Sequence, residues 1–152
     1  MTSRCIRLCL FLLLGLLTSC SSFQSRWKAA AGKPGQQRWD GRWTSEKHHD
    51  LTGGAPETNR LRAVTEYDSK KDLVAHFHAN WLVFSADYSM TFQPKTGGTH
   101  SKGVREFSGT QELPKLFGGT YHYEATLSRD ELIAHYNSSY DYGTFTLHRA
   151  EH

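Results

Sequence analysis

Leu73-Val74-Ala75-His76-Phe77-His78-Ala79-Asn80-Trp81 and Ser85-Ala86-Asp87-Tyr88-Ser89-Met90-Thr91-Phe92-Gln93 decide the fold. In the first run Leu73, Ala75, Phe77, Ala79 and Trp81 stand opposite His76, His78 and Asn80. In the second, Ala86, Tyr88, Met90 and Phe92 stand opposite Asp87, Ser89, Thr91 and Gln93. Successive side chains of a strand point to opposite faces, so a period of two with one apolar face predicts a half-buried strand. Thr120 to Leu127 repeats the pattern with Tyr121, Tyr123, Ala125 and Leu127, and Gly143 to Arg149 repeats it with Phe145 and Leu147. Weaker versions run over Trp39–Ser45, Arg60–Glu66, Val104–Gln111 and Glu131–Ser138.

These eight runs are separated by short segments such as Asp68-Ser69-Lys70-Lys71, Ser128-Arg129-Asp130 and Tyr140-Asp141. Short connections force neighbouring strands to pair antiparallel. No stretch holds a helical period over three turns. The expected body, residues 39–152, is therefore all-β. It is either a single eight-stranded antiparallel up-and-down barrel or a two-sheet sandwich. Closure removes exposed strand edges, which favours the barrel. At 152 residues, 38% hydrophobic and 22% charged, the chain has the size and composition of one globular domain.

Residues 1–19 read as a secretory signal. Arg4 and Arg7 precede an apolar run from Leu8 to Leu17 that is too short to span a bilayer. The run ends in Leu17-Thr18-Ser19-Cys20, which resembles the lipobox of bacterial lipoproteins. That resemblance implies cleavage before Cys20, a diacylglycerol on its thiol and a third acyl chain on its amino group. It also implies a lipid-anchored protein of the bacterial cell envelope. Ser21 resembles the residue that sends such proteins to the periplasmic side of the outer membrane. Cys5 and Cys9 would leave with the signal, so no disulfide is expected in the body. Loss of Arg4 and Arg7 would also lower the formal net charge from +3 to +1. A balance that close to neutral is no basis for nucleic-acid binding.

Residues 20–38 read as the lipidated Cys followed by a flexible tether rich in Ser, Gln, Lys and Gly. Ala29-Ala30-Ala31 offers a single helical turn within it.

A second resemblance concerns the body. In lipocalin and avidin-like barrels, a Gly-x-Trp on the first strand sets its indole at the barrel floor, and a basic residue of the last strand packs across it. Gly41-Arg42-Trp43 and Arg149 are similar to that arrangement. The resemblance implies a lipocalin-like barrel, with Arg149 over the Trp43 ring.

Little points to catalysis. The chain has no G-x-S-x-G, no H-E-x-x-H and no phosphate loop, and no Cys remains as a nucleophile. No enzyme activity, cofactor or metal is expected. The histidines, His76, His78, His122 and His135 among them, fall on polar faces where solvated side chains are expected.

The inward face is richer. Trp43, Phe77, Tyr88, Tyr121, Tyr123 and Tyr136 are the candidate ligand-binding residues, interleaved with Ala63, Ala75, Ala79, Ala125 and Ala134. An eight-stranded barrel is just wide enough to be filled by side chains or to hold one small molecule. Four inward tyrosine hydroxyls need hydrogen-bond partners, from the protein, water or a ligand. The expected function is a membrane-tethered protein binding a small apolar or aromatic molecule. The alternative is an envelope structural or interaction protein with a solid barrel, meeting an unknown protein partner through Glu46–Glu57 or Lys95–Lys102.

Overall fold

The computed structural model describes residues 22–47, 57–81, 84–96, 103–113, 115 and 119–151. The signal, Cys20 and most of both proposed contact loops lie outside these residues.

Eight strands follow one another: β1 (Gln37–Ser45), β2 (Glu57–Tyr67), β3 (Leu73–Trp81), β4 (Phe84–Pro94), β5 (Arg105–Glu112), β6 (Thr120–Leu127), β7 (Glu131–Asn137) and β8 (Tyr142–Arg149). Each pairs antiparallel with the next, and β8 returns to β1 to close the barrel. The sandwich alternative is thereby excluded. The eight strands expected from alternation are all present, with ends shifted by at most three residues.

Closure depends on two glycines facing the same seam. Gly41 lies opposite Leu147, and Gly143 lies opposite Ser45. A methyl group on Gly41 would overlap the Thr146 carbonyl oxygen, and one on Gly143 would overlap that of Thr44. Only glycine lets the two backbones coil this tightly. The β4–β5 seam is the weak one, paired only at Gln93↔Ser108 and Pro94↔Phe107.

The interior forms one apolar cluster contributed by all eight strands. At the end where β2, β4, β6 and β8 finish, Trp39, Leu73, Phe92, Phe107, Leu132 and Leu147 are essentially sealed from solvent. Trp39 Nε1 donates to Thr65 Oγ1 at 2.8 Å, so even the indole N–H is satisfied inside. Tyr67 stands over Phe107 at 6.4 Å, and the Arg105 guanidinium lies 5.5 Å from the Tyr67 ring.

Here the expected floor is corrected. The sealed tryptophan is Trp39, not Trp43, and Arg149 lies opposite Trp39 in the register while Trp43 lies opposite Phe145. Both tryptophans have inward parity on β1, so alternation alone does not choose between them. At this end Arg105 lies over the Tyr67 ring and Arg38 over Trp27 outside the barrel.

The tether is corrected too. Residues 22–30 form a helix, α1, against the outside of the barrel. Phe23, Trp27 and Ala30 recur at i, i+4 and i+7 and meet Val64, the apolar residue on the outward face of β2. Trp27 is held between two guanidinium groups, Arg38 at 5.3 Å and Arg62 at 5.4 Å. A helix this short is marginal alone, so the packing of residues 22–30 is what holds it. Burying Phe23 contributes about 1.5–3 kcal/mol.

Candidate functional site

All six candidate ligand residues meet in the barrel interior. Trp43 on β1 and Tyr136 on β7 join by a hydrogen bond, the indole Nε1 donating to the phenol oxygen at 2.7 Å. Tyr121, Tyr123 and Tyr136 form a triangle with ring centres 6.0–6.2 Å apart. Phe145 sits beneath, 5.3 Å from Tyr136 and 6.0 Å from Tyr123. It also meets Phe77 edge-on at 5.6 Å, and Phe77 stacks on Tyr88 at 5.1 Å. Offset and edge-to-face rings at such separations gain electrostatic energy beyond their buried area. Their order along β6 and β7 follows from alternation, which turns Tyr121, Tyr123, Ala134 and Tyr136 inward together. The side chain of Trp81, also expected inside, lies outside the described residues.

The four hydroxyls have different fates. Tyr136 Oη donates to Asp141 Oδ2 at 2.8 Å, and Ser45 Oγ donates to Asp141 Oδ1 at 2.8 Å. Asp141 is carried by the Ser138–Asp141 turn, where Ser138 Oγ accepts the Tyr140 and Asp141 amides. The result is a closed chain from Trp43 through Tyr136 and Asp141 to Ser45. Tyr121 reaches Ser138 of the same turn. Tyr88 and Tyr123 make no hydrogen bond through their hydroxyls within the described residues.

Burial raises the phenol pKa of all four, most strongly for Tyr88, Tyr123 and Tyr136. They stay protonated donors throughout the physiological range. The arrangement offers aromatic faces and neutral O–H donors. Beside them stands one carboxylate, Asp141, engaged by the Tyr136 and Ser45 hydroxyls.

Sequence reasoning missed Asp141 and Ser45. Ser45 has inward parity on β1, which was a usable signal. Asp141 is a turn residue whose role depends on where the β7–β8 hairpin folds.

Two grooves lie on the outer wall of the barrel. Over the β4–β5 seam a surface groove of about 370 Å³ is lined by Thr91, Gln93, Ser108, Thr110, His122, Tyr123 and Glu124. A second, of about 440 Å³, runs over Asp40, Arg42, Thr58 and Arg60 on the outer wall.

The histidines divide. His122 and His135 are exposed, as expected. His78 is not solvated: it is 5% exposed, stacked on Phe23 at 5.0 Å and bonded through Nδ1 to Asp87 Oδ1 at 2.5 Å. The helix covering it could not be foreseen from β3 alone. His76 beside it bonds Ser89 at 2.7 Å and Glu66 at 3.4 Å. Burial, and then the Arg26 charge, lower its pKa. Among the described residues, no three or more His, Cys, Asp or Glu side chains are grouped to hold a metal ion.

Comparison with known proteins adds no family: no family model, no curated protein and no solved structure matches this chain.

Proposed function

We propose that this chain is a lipid-anchored protein of the bacterial cell envelope whose barrel recognises a small aromatic or apolar molecule. The observation that carries the binding part is the pair of hydroxyls on Tyr88 and Tyr123. They stand among stacked rings without a hydrogen-bond partner in the described residues, while their neighbour Tyr136 is fully engaged. A ligand with one or two acceptors would pair them.

The anchor rests on the sequence: a basic start, a short apolar run and Leu17-Thr18-Ser19-Cys20. The outer membrane, periplasmic side, is the address that Ser21 supports. No enzyme activity, cofactor or nucleic-acid partner belongs to this reading.

One observation favours a second reading, a solid barrel that serves as an envelope scaffold or contact protein. The Trp43–Tyr136–Asp141–Ser45 chain satisfies its own polar groups and ties two strands, β1 and β7, to the turn that follows β7. Native mass spectrometry of the protein released from its host's membranes separates the two. A discrete extra mass lost on unfolding supports binding. A bare chain mass, unchanged after exposure to envelope lipid extract, supports the scaffold. Acyl mass on the Cys20 fragment tests the anchor independently.

A further inference from the structure

We infer that helix α1 and the link to β1 dock the barrel on an anionic lipid surface, with the β2–β3–β4 wall turned toward the bilayer. This inference rests on the anchor proposed at Cys20. The segment 22–38 carries Arg26, Lys28, Lys33 and Arg38 and no acidic residue. Its apolar side is already used: Phe23 and Ala30 are buried against Val64, so the helix has no free apolar face to insert into lipid. The side left to solvent is polar and basic, with Ser25, Arg26, Lys28 and Lys33 exposed.

Position makes the charge meaningful. Cys20 precedes the first described helical residue by two positions, so the Cα of the lipid-bearing Cys20 lies within about 7 Å of the Ser22 Cα even with the chain extended. A barrel on a loose tether could stand off from the membrane. A barrel gripping its own helix cannot. The carboxylates near this face are engaged. Glu66 accepts from Gln36 and pairs with Arg26 and His76, Asp87 pairs with His78, and Asp40 pairs with Arg60. Lys28 and Lys33 are therefore the cations best placed for headgroup phosphates, whose surface potential attracts basic segments beside a membrane anchor.

The test uses the full chain, expressed in a bacterium, recovered from membranes and reconstituted into two kinds of vesicle. One is pure phosphatidylcholine, the other carries roughly a third phosphatidylglycerol. Lysines are acetylated and the products read by mass. Lys28 and Lys33 should be labelled about tenfold less in the anionic vesicles, while Lys95 and Lys115 on other parts of the surface stay equal. Molar salt, which shrinks the Debye length to about 3 Å, should erase the difference. The exposed double variant Lys28→Glu/Lys33→Glu, read by hydrogen exchange over residues 31–36, should lose the lipid dependence and keep the fold. Equal labelling in both vesicles, or protection falling on Lys95 and Lys115, overturns the inference. A Cys20 fragment without acyl mass overturns the anchor, and protection that persists in such a sample leaves the surface standing on its charge alone.

Discussion

The two ends of the barrel are closed by different chemistry. At one, Trp39, Leu73, Phe92, Phe107, Leu132 and Leu147 fill the interior with carbon, and the one polar atom among them, the Trp39 indole nitrogen, is bonded to Thr65. At the other, Trp43, Tyr121, Tyr123 and Tyr136 bring hydroxyls and an indole N–H into a similar space. The Trp43 N–H and the Tyr136 hydroxyl are satisfied in the chain that runs through Asp141 to Ser45, and Tyr121 reaches Ser138. The apolar end is a plug whose worth lies in area and fit. The tyrosine end is a polar constellation whose worth depends on what completes it. The ligand site proposed above lies at the second end, because the carbon plug holds no polar group to offer a ligand.

Substitutions should separate the ends by size of effect. Trp39→Ala should cost about 3–5 kcal/mol, as large-to-small changes in sealed cores do, read as a shift of the denaturation midpoint at unchanged slope. A loss below about 1 kcal/mol would show that this end is not a plug. Tyr136→Phe keeps the ring but strands the Trp43 N–H and an Asp141 oxygen, so a loss of about 1–3 kcal/mol is expected. Trp43→Phe combined with Tyr136→Phe should cost less than the sum of the two single changes, because both remove one bond. Tyr123→Phe removes a hydroxyl without a protein partner and should leave stability within about 0.5 kcal/mol. The same variant should lose any bound mass in the native spectrum. A stability loss as large as that of Tyr136→Phe would mean that Tyr123 is structural.

The smallest effect sets both ends against the outer wall. His76 holds its proton less tightly than at its ordinary value of 6.5, because burial and Arg26 oppose the charge, although Glu66 favours it. The unfolded chain therefore takes up that proton first, and stability falls as pH drops below 6.5 toward the lower folded value. The Glu66 carboxyl, held below its ordinary 4.5 chiefly by the Gln36 hydrogen bond, adds a second loss as pH falls below 4.5. Hydrogen exchange should show residues 22–36 loosening on acidification before either barrel end, and His76→Gln should flatten the first step. Simultaneous opening of helix and barrel would sink this ranking.

The legible and illegible parts divide along physical lines. Period-two alternation on β3, β4, β6 and β8 is written in consecutive residues, so strands, their inward faces and the meeting of Phe77, Tyr88, Tyr121, Tyr123 and Tyr136 could be read directly. Helix α1 was harder. Its stripe of Phe23, Trp27 and Ala30 spans only two turns, and its partner Val64 lies on another strand. The clue was paired: one outward apolar residue on β2 and three apolar residues in an otherwise polar segment.

What the sequence by itself determined was the set of strands and the side each residue faces, because alternation is a local property of the backbone. Tertiary structure alone decided the rest: Trp39 rather than Trp43 as the sealed ring, Asp141 as the partner of Tyr136, and His78 beneath a helix. Each depends on the stagger between strands far apart in the chain, and register is settled by packing the whole barrel at once.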